Sequence, residues 1–177
     1  MADINVLGTR LLELKQQNET ALRSAVANTA SFAHTQFTNA IYQRYNFKQR
    51  DYVAERLNTG ISLNNIELTI SARQRLTNAI EFANSPLYRQ GKQGQQVLAG
   101  YSGAYLRAKS ATWRGAFSFI GKNGNLLMAY RKKGETWRDI PNQLPYGPSV
   151  AGAFGVIKDD TAPAIVDHLV KLYQQAL

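Results

Sequence analysis

Hydrophobic residues in the first 45 positions recur mostly at spacings of three and four, the period of an amphipathic helix. The pattern is carried by Leu7, Leu11, Leu14, Leu22, Val26, Ala30, Ala33, Phe37 and Ile41. Gly8 and Asn18 weaken it, so we expect a short first helix that leads into a longer one from about Glu19. Small residues are dense on the longer helix, which suits close approach to a sheet or a second helix.

Beyond residue 45 the pattern predicts a short helix and then a strand. Residues 48–57 fit the helix, and Thr59-Gly60 is expected to close it. Ile66, Leu68 and Ile70 alternate with polar residues, which predicts a half-buried strand.

The following segment is ambiguous as far as residue 94. Residues 72–94 fit one or two helical turns or irregular structure, Ser85-Pro86 is expected to end regular structure, and residues 91–94 read as an exposed loop. Residues 95–109 predict one long strand that carries Arg107 and Lys109.

A hairpin is the clearest local prediction. Residues 116–120 and 126–131 are two apolar runs that flank Gly121–Gly124, and the Asn123-Gly124 pair tolerates the positive φ of a tight turn. Residues 137–140 fit a short edge strand beside them.

Proline and glycine mark the end of the sheet region. Pro145, Gly147 and Pro148 predict a fixed chain reversal, because proline fixes φ and glycine adopts conformations that other residues avoid. After this reversal, Asp160 and Thr161 are expected to cap a closing helix, with Pro163 in its first turn.

The fold class that follows is α+β. We expect a long N-terminal helix and a C-terminal helix packed on a mainly antiparallel sheet of about four strands. The chain of 177 residues fits a single domain. Within 1–177 we expect a helical part over 1–60, a β-rich basic part over 61–150 and the C-terminal helix over 160–177.

Basic residues concentrate between Leu87 and Arg138. Ten Lys and Arg lie there against one acid, Glu135, whereas the rest of the chain balances at eleven basic and eleven acidic residues. The net charge of +9 is therefore a property of this one stretch. Such a surface attracts polyanions, and salt screens the attraction. A solvated face that only keeps the protein soluble is the alternative.

Catalytic and metal chemistry finds little support. The chain has no cysteine, and its two histidines, His34 and His168, lack nearby ligand partners in the sequence. Asp159-Asp160 fits a helix cap better than a pair of catalytic carboxylates. We therefore expect a protein that is not an enzyme and has no cofactor and no metal.

Aromatic residues are interleaved with the basic ones. Trp113, Trp137, Tyr101, Tyr105 and Tyr130 could stack on the bases of a single strand. Aromatics in strands more often belong to a core or a subunit interface, and we favour that interpretation.

The order of several motifs resembles one protein family. Trp113-Arg-Gly-Ala-Phe117, the turn Gly121–Gly124 and the basic strand end Arg131-Lys-Lys133 are followed by Asp139-Ile-Pro141 and Leu144-Pro-Tyr-Gly-Pro-Ser-Val150. This series resembles the phage minor tail protein Z group, the tail-completion or head-tail joining proteins of the neck. The Ala-rich N-terminal helix and the segment Phe47–Leu57 also lie where that family has an Ala-rich helix and a basic helical segment.

The resemblance implies a structural component of a phage or prophage virion at the head-proximal end of the tail. It implies a ring of identical subunits, with a hexamer expected, between tail tube or terminator proteins and head-tail connector proteins. Double-stranded DNA would pass through the ring. The residues expected to face its phosphates are Arg107, Lys109, Arg114, Lys122, Arg131, Lys132 and Lys133. The residues expected to fix structural turns are Asn123, Gly124, Pro145, Gly147 and Pro148.

A free nucleic-acid-binding protein that uses the basic face of residues 87–138 is the alternative function. No signal peptide and no membrane partner are expected, because the N-terminus lacks a charged region before an apolar core and no apolar run approaches about 20 residues. The expected location is the virion neck, after synthesis in the host cytoplasm.

Overall fold

Two long helices and nine short strands form the part of the chain that the structure describes. The computed structural model describes the backbone of residues 3–130 and 143–177, and side chains from residue 12 onward within those ranges. The helices are α1 (Asp3–Arg44), α2 (Arg50–Ala54) and α3 (Val150–Ala176), with a 3-10 turn at Ala79–Phe82. The strands are β1 (Leu57–Ser62), β2 (Glu67–Ala72), β3 (Thr77–Asn78), β4 (Ala83–Gln90), β5 (Gln96–Gly103), β6 (Ala111–Arg114), β7 (Phe117–Ile120), β8 (Leu126–Ala129) and β9 (Tyr146–Gly147).

The fold class is α+β, as the sequence predicts, with antiparallel pairing throughout the described strands. The strands form four small sheets: β1-β2, β3-β9, β4-β5-β6 and β7-β8. The sheet of about four strands in the sequence-based prediction is therefore divided, with three strands in its largest part. The expected strand at 137–140 lies outside the described residues.

Helix α1 is continuous, so the predicted division near Asn18 is wrong. Its 42 residues correspond to about 63 Å of helix. Neither Gly8 nor Asn18 removes a backbone hydrogen bond, and one glycine costs only about 1 kcal/mol relative to alanine. The buried face repeats every four residues: Ala21, Ala25, Thr29, Ala33, Phe37, Ile41 and Tyr45. The small members of this set allow α3 to pack closely against α1.

Helix α3 begins at Val150, ten residues before the predicted start. Ser149 is its N-cap, and its hydroxyl accepts a hydrogen bond of 3.0 Å from the Gly152 amide. Asp160, Thr161 and Pro163 therefore lie inside the helix and not at its first turn. Pro163 is exposed, where the carbonyl that loses its N–H partner can bind water.

Three strand boundaries also differ from the prediction. Strand β1 begins at Leu57, so Thr59-Gly60 lies in a strand and does not close α2. Ile66 precedes β2 in a turn, with φ of 53°, whereas Leu68 and Ile70 are half-buried as predicted. Pro86 lies within β4. Proline is tolerated there because β4 is an edge strand, where the missing proline N–H interrupts no hydrogen bonding between strands.

The β7-β8 hairpin confirms the predicted turn at Gly121–Gly124 but changes its geometry. The Gly124 amide donates to the Gly121 carbonyl at 2.9 Å, and Gly124 has φ of 78°. Asn123 does not have positive φ; its side-chain oxygen instead accepts from the Asn125 amide at 3.3 Å. Gly124 is thus the turn residue that requires the left-handed conformation.

A row of aromatic rings runs through the core. Phe82 is fully buried and lies 4.7 Å from Phe47 and 5.1 Å from Tyr105, measured between ring centroids. Tyr105 in turn lies 5.7 Å from Trp113. Tyr105 and Trp113 therefore pack in the core, as favoured over base stacking; Trp137 lies outside the described residues.

Asn78 connects the 3-10 turn to strand β8. Its side-chain Nδ2 donates to the Met128 carbonyl at 3.0 Å, and its Oδ1 accepts from the Met128 amide at 2.7 Å. The same oxygen accepts from the Ile80 amide at 3.1 Å and so caps the turn. Asn78 is 7% exposed, so water cannot replace these bonds at little cost.

We predict that Asn78→Ala lowers the free energy of unfolding by about 3 kcal/mol, since it leaves three backbone groups of Met128 and Ile80 without their partner. Urea unfolding measures this. Asn64→Ala is the matched control, because Asn64 is an exposed turn residue. Equal stability of the two variants would contradict the structural role of Asn78.

Gly147 is constrained by neighbouring side chains and not by its backbone angle. Its φ is not in the positive region, contrary to the prediction, and it belongs to the short strand β9. A Cβ atom there would lie 2.6 Å from ring atoms of both Phe82 and Tyr105. The predicted reversal at Pro145–Pro148 thus includes a strand paired with β3, and the Pro145 carbonyl accepts from the Ala79 amide at 2.9 Å.

We predict that Gly147→Val destabilises the protein by about 3 kcal/mol, because its Cβ would lie 2.6 Å from two rings, one of which belongs to the fully buried Phe82. Thermal and urea unfolding measure the effect. Gly155→Ala is the control: a Cβ at Gly155 meets nothing within 4 Å, and alanine in a helix should stabilise by up to about 1 kcal/mol. A Gly147→Val protein as stable as the parent would show that the rings can move.

Candidate nucleic-acid interface

The β region of the chain carries no acidic residue between Glu81 and Glu135. Five basic side chains of this segment are exposed and make no side-chain hydrogen bond within the described part of the chain. They are Arg89, Lys92, Lys109, Arg114 and Lys122. Arg131, Lys132 and Lys133 lie outside the described residues. A segment with several exposed cations and no acidic residue of its own favours a positive local potential, which attracts anions.

Arg107 does not lie on a strand and has a structural role. Strand β5 ends at Gly103, where a Cβ would meet the Phe82 carbonyl and the Trp113 ring. The chain then turns along the C-terminal end of α1, and the Arg107 Nε donates to the Tyr42 carbonyl. Its guanidinium also lies 4.2 Å from the centroid of the Tyr42 ring.

These contacts complete the end of α1. The last four carbonyls of a helix have no partner within it. The Arg107 side chain donates to the Tyr42 carbonyl, and the Arg107 backbone amide donates to the Arg44 carbonyl at 3.1 Å. The predicted strand over residues 95–109 is therefore wrong in its second half, and Arg107 lies against the end of α1 and not on the sheet.

Lys109 and Lys122 lie in turns. The Lys109 amide donates to the Leu106 carbonyl at 3.0 Å in the loop before β6, and Lys122 lies at the tip of the β7-β8 hairpin. Their ammonium groups are exposed, but the structure does not bring them into one site. They contribute positive potential and no defined geometry.

One face of the β4-β5-β6 sheet does bring basic and hydroxyl groups together. Trp113 of β6 is buried, so its neighbours Thr112 and Arg114 face the opposite, outer side. Ser102 pairs with Thr112 on one side and Ser85 on the other, and the two serine hydroxyls are 2.8 Å apart. A row of hydroxyl groups therefore crosses this outer face.

A shallow cavity of about 520 Å³ lies on the same face. Its lining residues are Leu87, Arg89, Leu98, Ala99, Thr112, Arg114 and Gly115. Arg114 was among the predicted phosphate-facing residues, whereas Arg89 was counted in the basic stretch but not assigned to the site. Arg89 and Arg114 line the same cavity because β4 and β6 both pair with β5.

A second cavity, of about 700 Å³, lies elsewhere. It lies between α2, the end of β2 and the β7-β8 hairpin, and Arg56 lines it. The Arg56 guanidinium stacks 3.5 Å from the centroid of the Tyr52 ring and donates to the Tyr52 carbonyl at 2.9 Å. That cation is thus already engaged, and the cavity also contains the acidic Glu81.

The histidines and acidic pairs take structural positions. The His34 Nε2 lies 3.1 Å from the Ala54 carbonyl, and the His168 ring stacks on Phe32 with centroids 3.9 Å apart. Asp159 and Asp160 are exposed within α3. Among the residues with described side chains, no three His, Asp or Glu side chains are grouped so that they could hold a metal ion.

Among the described residues, Tyr130 has a pKa that the fold shifts clearly. Burial of its ring, and to a lesser extent repulsion from Tyr105, raises the pKa of the Tyr130 hydroxyl above the usual value of 10.0. Any tyrosine hydroxyl is neutral at physiological pH, and the raised pKa keeps this one neutral at a higher pH as well. It adds no negative charge beside the basic segment.

We predict that Arg107→Gln lowers the free energy of unfolding by about 1 kcal/mol, because glutamine loses the cation–π contact with Tyr42 and the hydrogen bond to its carbonyl. Lys109→Gln removes the same charge two residues away and should leave stability within about 0.5 kcal/mol. Urea unfolding of both variants makes the comparison. Equal losses would mean that charge, and not the contact with α1, determines the effect.

Comparisons with known proteins leave the family open: no family model, no curated protein and no solved structure matches the chain. Among the described helices, none is both long enough and apolar enough to cross a membrane. The resemblance to tail-completion proteins therefore depends on sequence motifs alone, chiefly the ordered ones of residues 113–150.

Proposed function

We propose that this chain is a structural, non-enzymatic component of a phage or prophage virion, a tail-completion or terminator-like protein of the neck. Its subunits form a ring, with a hexamer expected, between tail and head-tail connector proteins, and double-stranded DNA passes through it. The observation that carries the proposal is the exposed basic surface of an acid-free β region, joined to the order of motifs over residues 113–150.

The described surface is consistent with assembly. Both long helices expose large apolar side chains, among them Leu12 at 68% and Val166 at 55% of their full accessible area. Exposed apolar groups on two neighbouring elements favour contact with other subunits. The basic β region and the apolar helical surface belong to different elements, so one could face DNA while the other contacts neighbours.

A free nucleic-acid-binding protein remains the second candidate, because the same basic surface would serve it. The two functions differ in where the protein is found. A neck component is part of the finished particle, whereas a free binder stays with host nucleic acid.

The experiment is mass spectrometry of gradient-purified particles from the phage or prophage that encodes the chain. We predict that the chain is present at a few copies per particle, as one ring requires, and that its deletion yields separate heads and tails. A host DNA-binding protein of similar size serves as the contamination control. Absence from intact particles would overturn the neck role and favour the free binder.

A further inference from the structure

We infer that Arg89 and Arg114 together bind one phosphodiester group of a nucleic-acid backbone on the outer face of the β4-β5-β6 sheet. This deepens the proposed function and rests on it for the source of the phosphate. The two arginines come from the two edge strands, and the central strand lies between them.

The strand register places the two side chains near each other. Gly100 of β5 pairs with Leu87 of β4 on one side and with Arg114 of β6 on the other. Arg89 pairs with Val97 beyond an irregularity in the register between Leu87 and Tyr88, and it lines the same cavity as Leu87. Because Gly100 has no side chain, β5 puts no bulk directly between Leu87 and Arg114. Both arginines line the same cavity of about 520 Å³.

The chemistry of the cavity fits an anion. A guanidinium offers five N–H donors and accepts no hydrogen bond, so two of them beside one space need acceptors. Neither arginine has a salt bridge or a side-chain hydrogen bond within the described part of the chain. The salt bridge found among the described residues joins Arg23 to Glu19 at 4.0 Å, on helix α1. The Thr112 hydroxyl adds a further donor at the wall.

The form of the site favours a phosphodiester. The paired forks of arginine match the oxygens of a phosphate. The apolar Leu87 and Leu98 in the wall offer contact to the sugar of a nucleotide. The cavity is shallow, and Lys92 lies exposed at the tip of the hairpin that joins β4 to β5, so the positive surface continues past the site as a polymer requires.

The test uses the purified chain and a labelled short DNA duplex, with binding measured by fluorescence anisotropy across a salt series. The salt slope is the steepness with which the logarithm of affinity falls as the logarithm of salt concentration rises. We expect Arg89→Gln and Arg114→Gln each to reduce this slope by about 0.9 units, which corresponds to an affinity about eightfold lower at roughly 0.1 M salt. The double variant should lose little more than either single variant, because both side chains hold the same phosphate.

Two sets of controls accompany these variants. Lys158→Gln with Lys171→Gln removes two exposed charges from α3 and should leave the slope unchanged. Arg89→Lys with Arg114→Lys keeps the charge but loses the planar fork, so the slope should persist while affinity falls. Thermal unfolding should be unchanged in all, since these side chains make no described hydrogen bond.

Several results would overturn the inference. A double variant that loses twice the slope of each single variant would mean two separate phosphate contacts. Equal slopes in all proteins, or no duplex binding by the parent, would remove the site. Loss of binding to inorganic phosphate or to a polyglutamate peptide, without any effect on duplex binding, would assign the arginines to a free anion or an acidic protein.

The outcome is independent of the neck role. If the chain is absent from particles but its single and double variants lose the same salt slope, the phosphate site stands and the neck function fails. A chain present in particles with unaltered salt slopes would do the reverse.

Discussion

The hydrogen bonds of one buried amide hold the centre of the structure together. Asn78 pairs with both backbone groups of Met128 and with the Ile80 amide, so a single side chain joins β8 to the 3-10 turn. A side-chain amide can donate to a carbonyl through its nitrogen and accept from two N–H groups through its oxygen at once. Because the site is buried, the bonds cannot be exchanged for water, and the position of the turn relative to β8 is fixed.

The position of that turn determines what surrounds Phe82. Its ring contacts Phe47 after α1 and Tyr105 in the loop after β5, and it lies where a side chain at Gly147 would have to be. The absence of a side chain there lets β9 pair with β3, and the chain then enters α3 directly through the Ser149 cap. The Ser149 cap marks the start of α3, and the capping residues at 160–161 were misleading because they lie inside a helix that has already begun.

Sequence periodicity predicted the elements whose pattern is local. The long helix, the alternation at Leu68 and Ile70 and the turn at Gly124 follow from helix period, strand period and backbone conformation, and the structure confirms them. The errors occur where distant residues decide. Pro86 is tolerated because β4 is an edge, and β5 ends where Gly103 meets Phe82 and Trp113; neither neighbour is visible in a local window.

The candidate site, like the fold, was predictable from the sequence only in part. The sequence shows that the segment between Glu81 and Glu135 is basic and acid-free, since that is a count. It does not show which cations share a face, and Arg107 illustrates the difference: its guanidinium contacts the carbonyl and ring of Tyr42 at the end of α1 and lies off the sheet. Arg89 and Arg114 line one cavity because β4 and β6 pair with the same central strand. Net charge therefore indicates only an anionic partner, and the strand pairing selects the two residues that we propose to hold it.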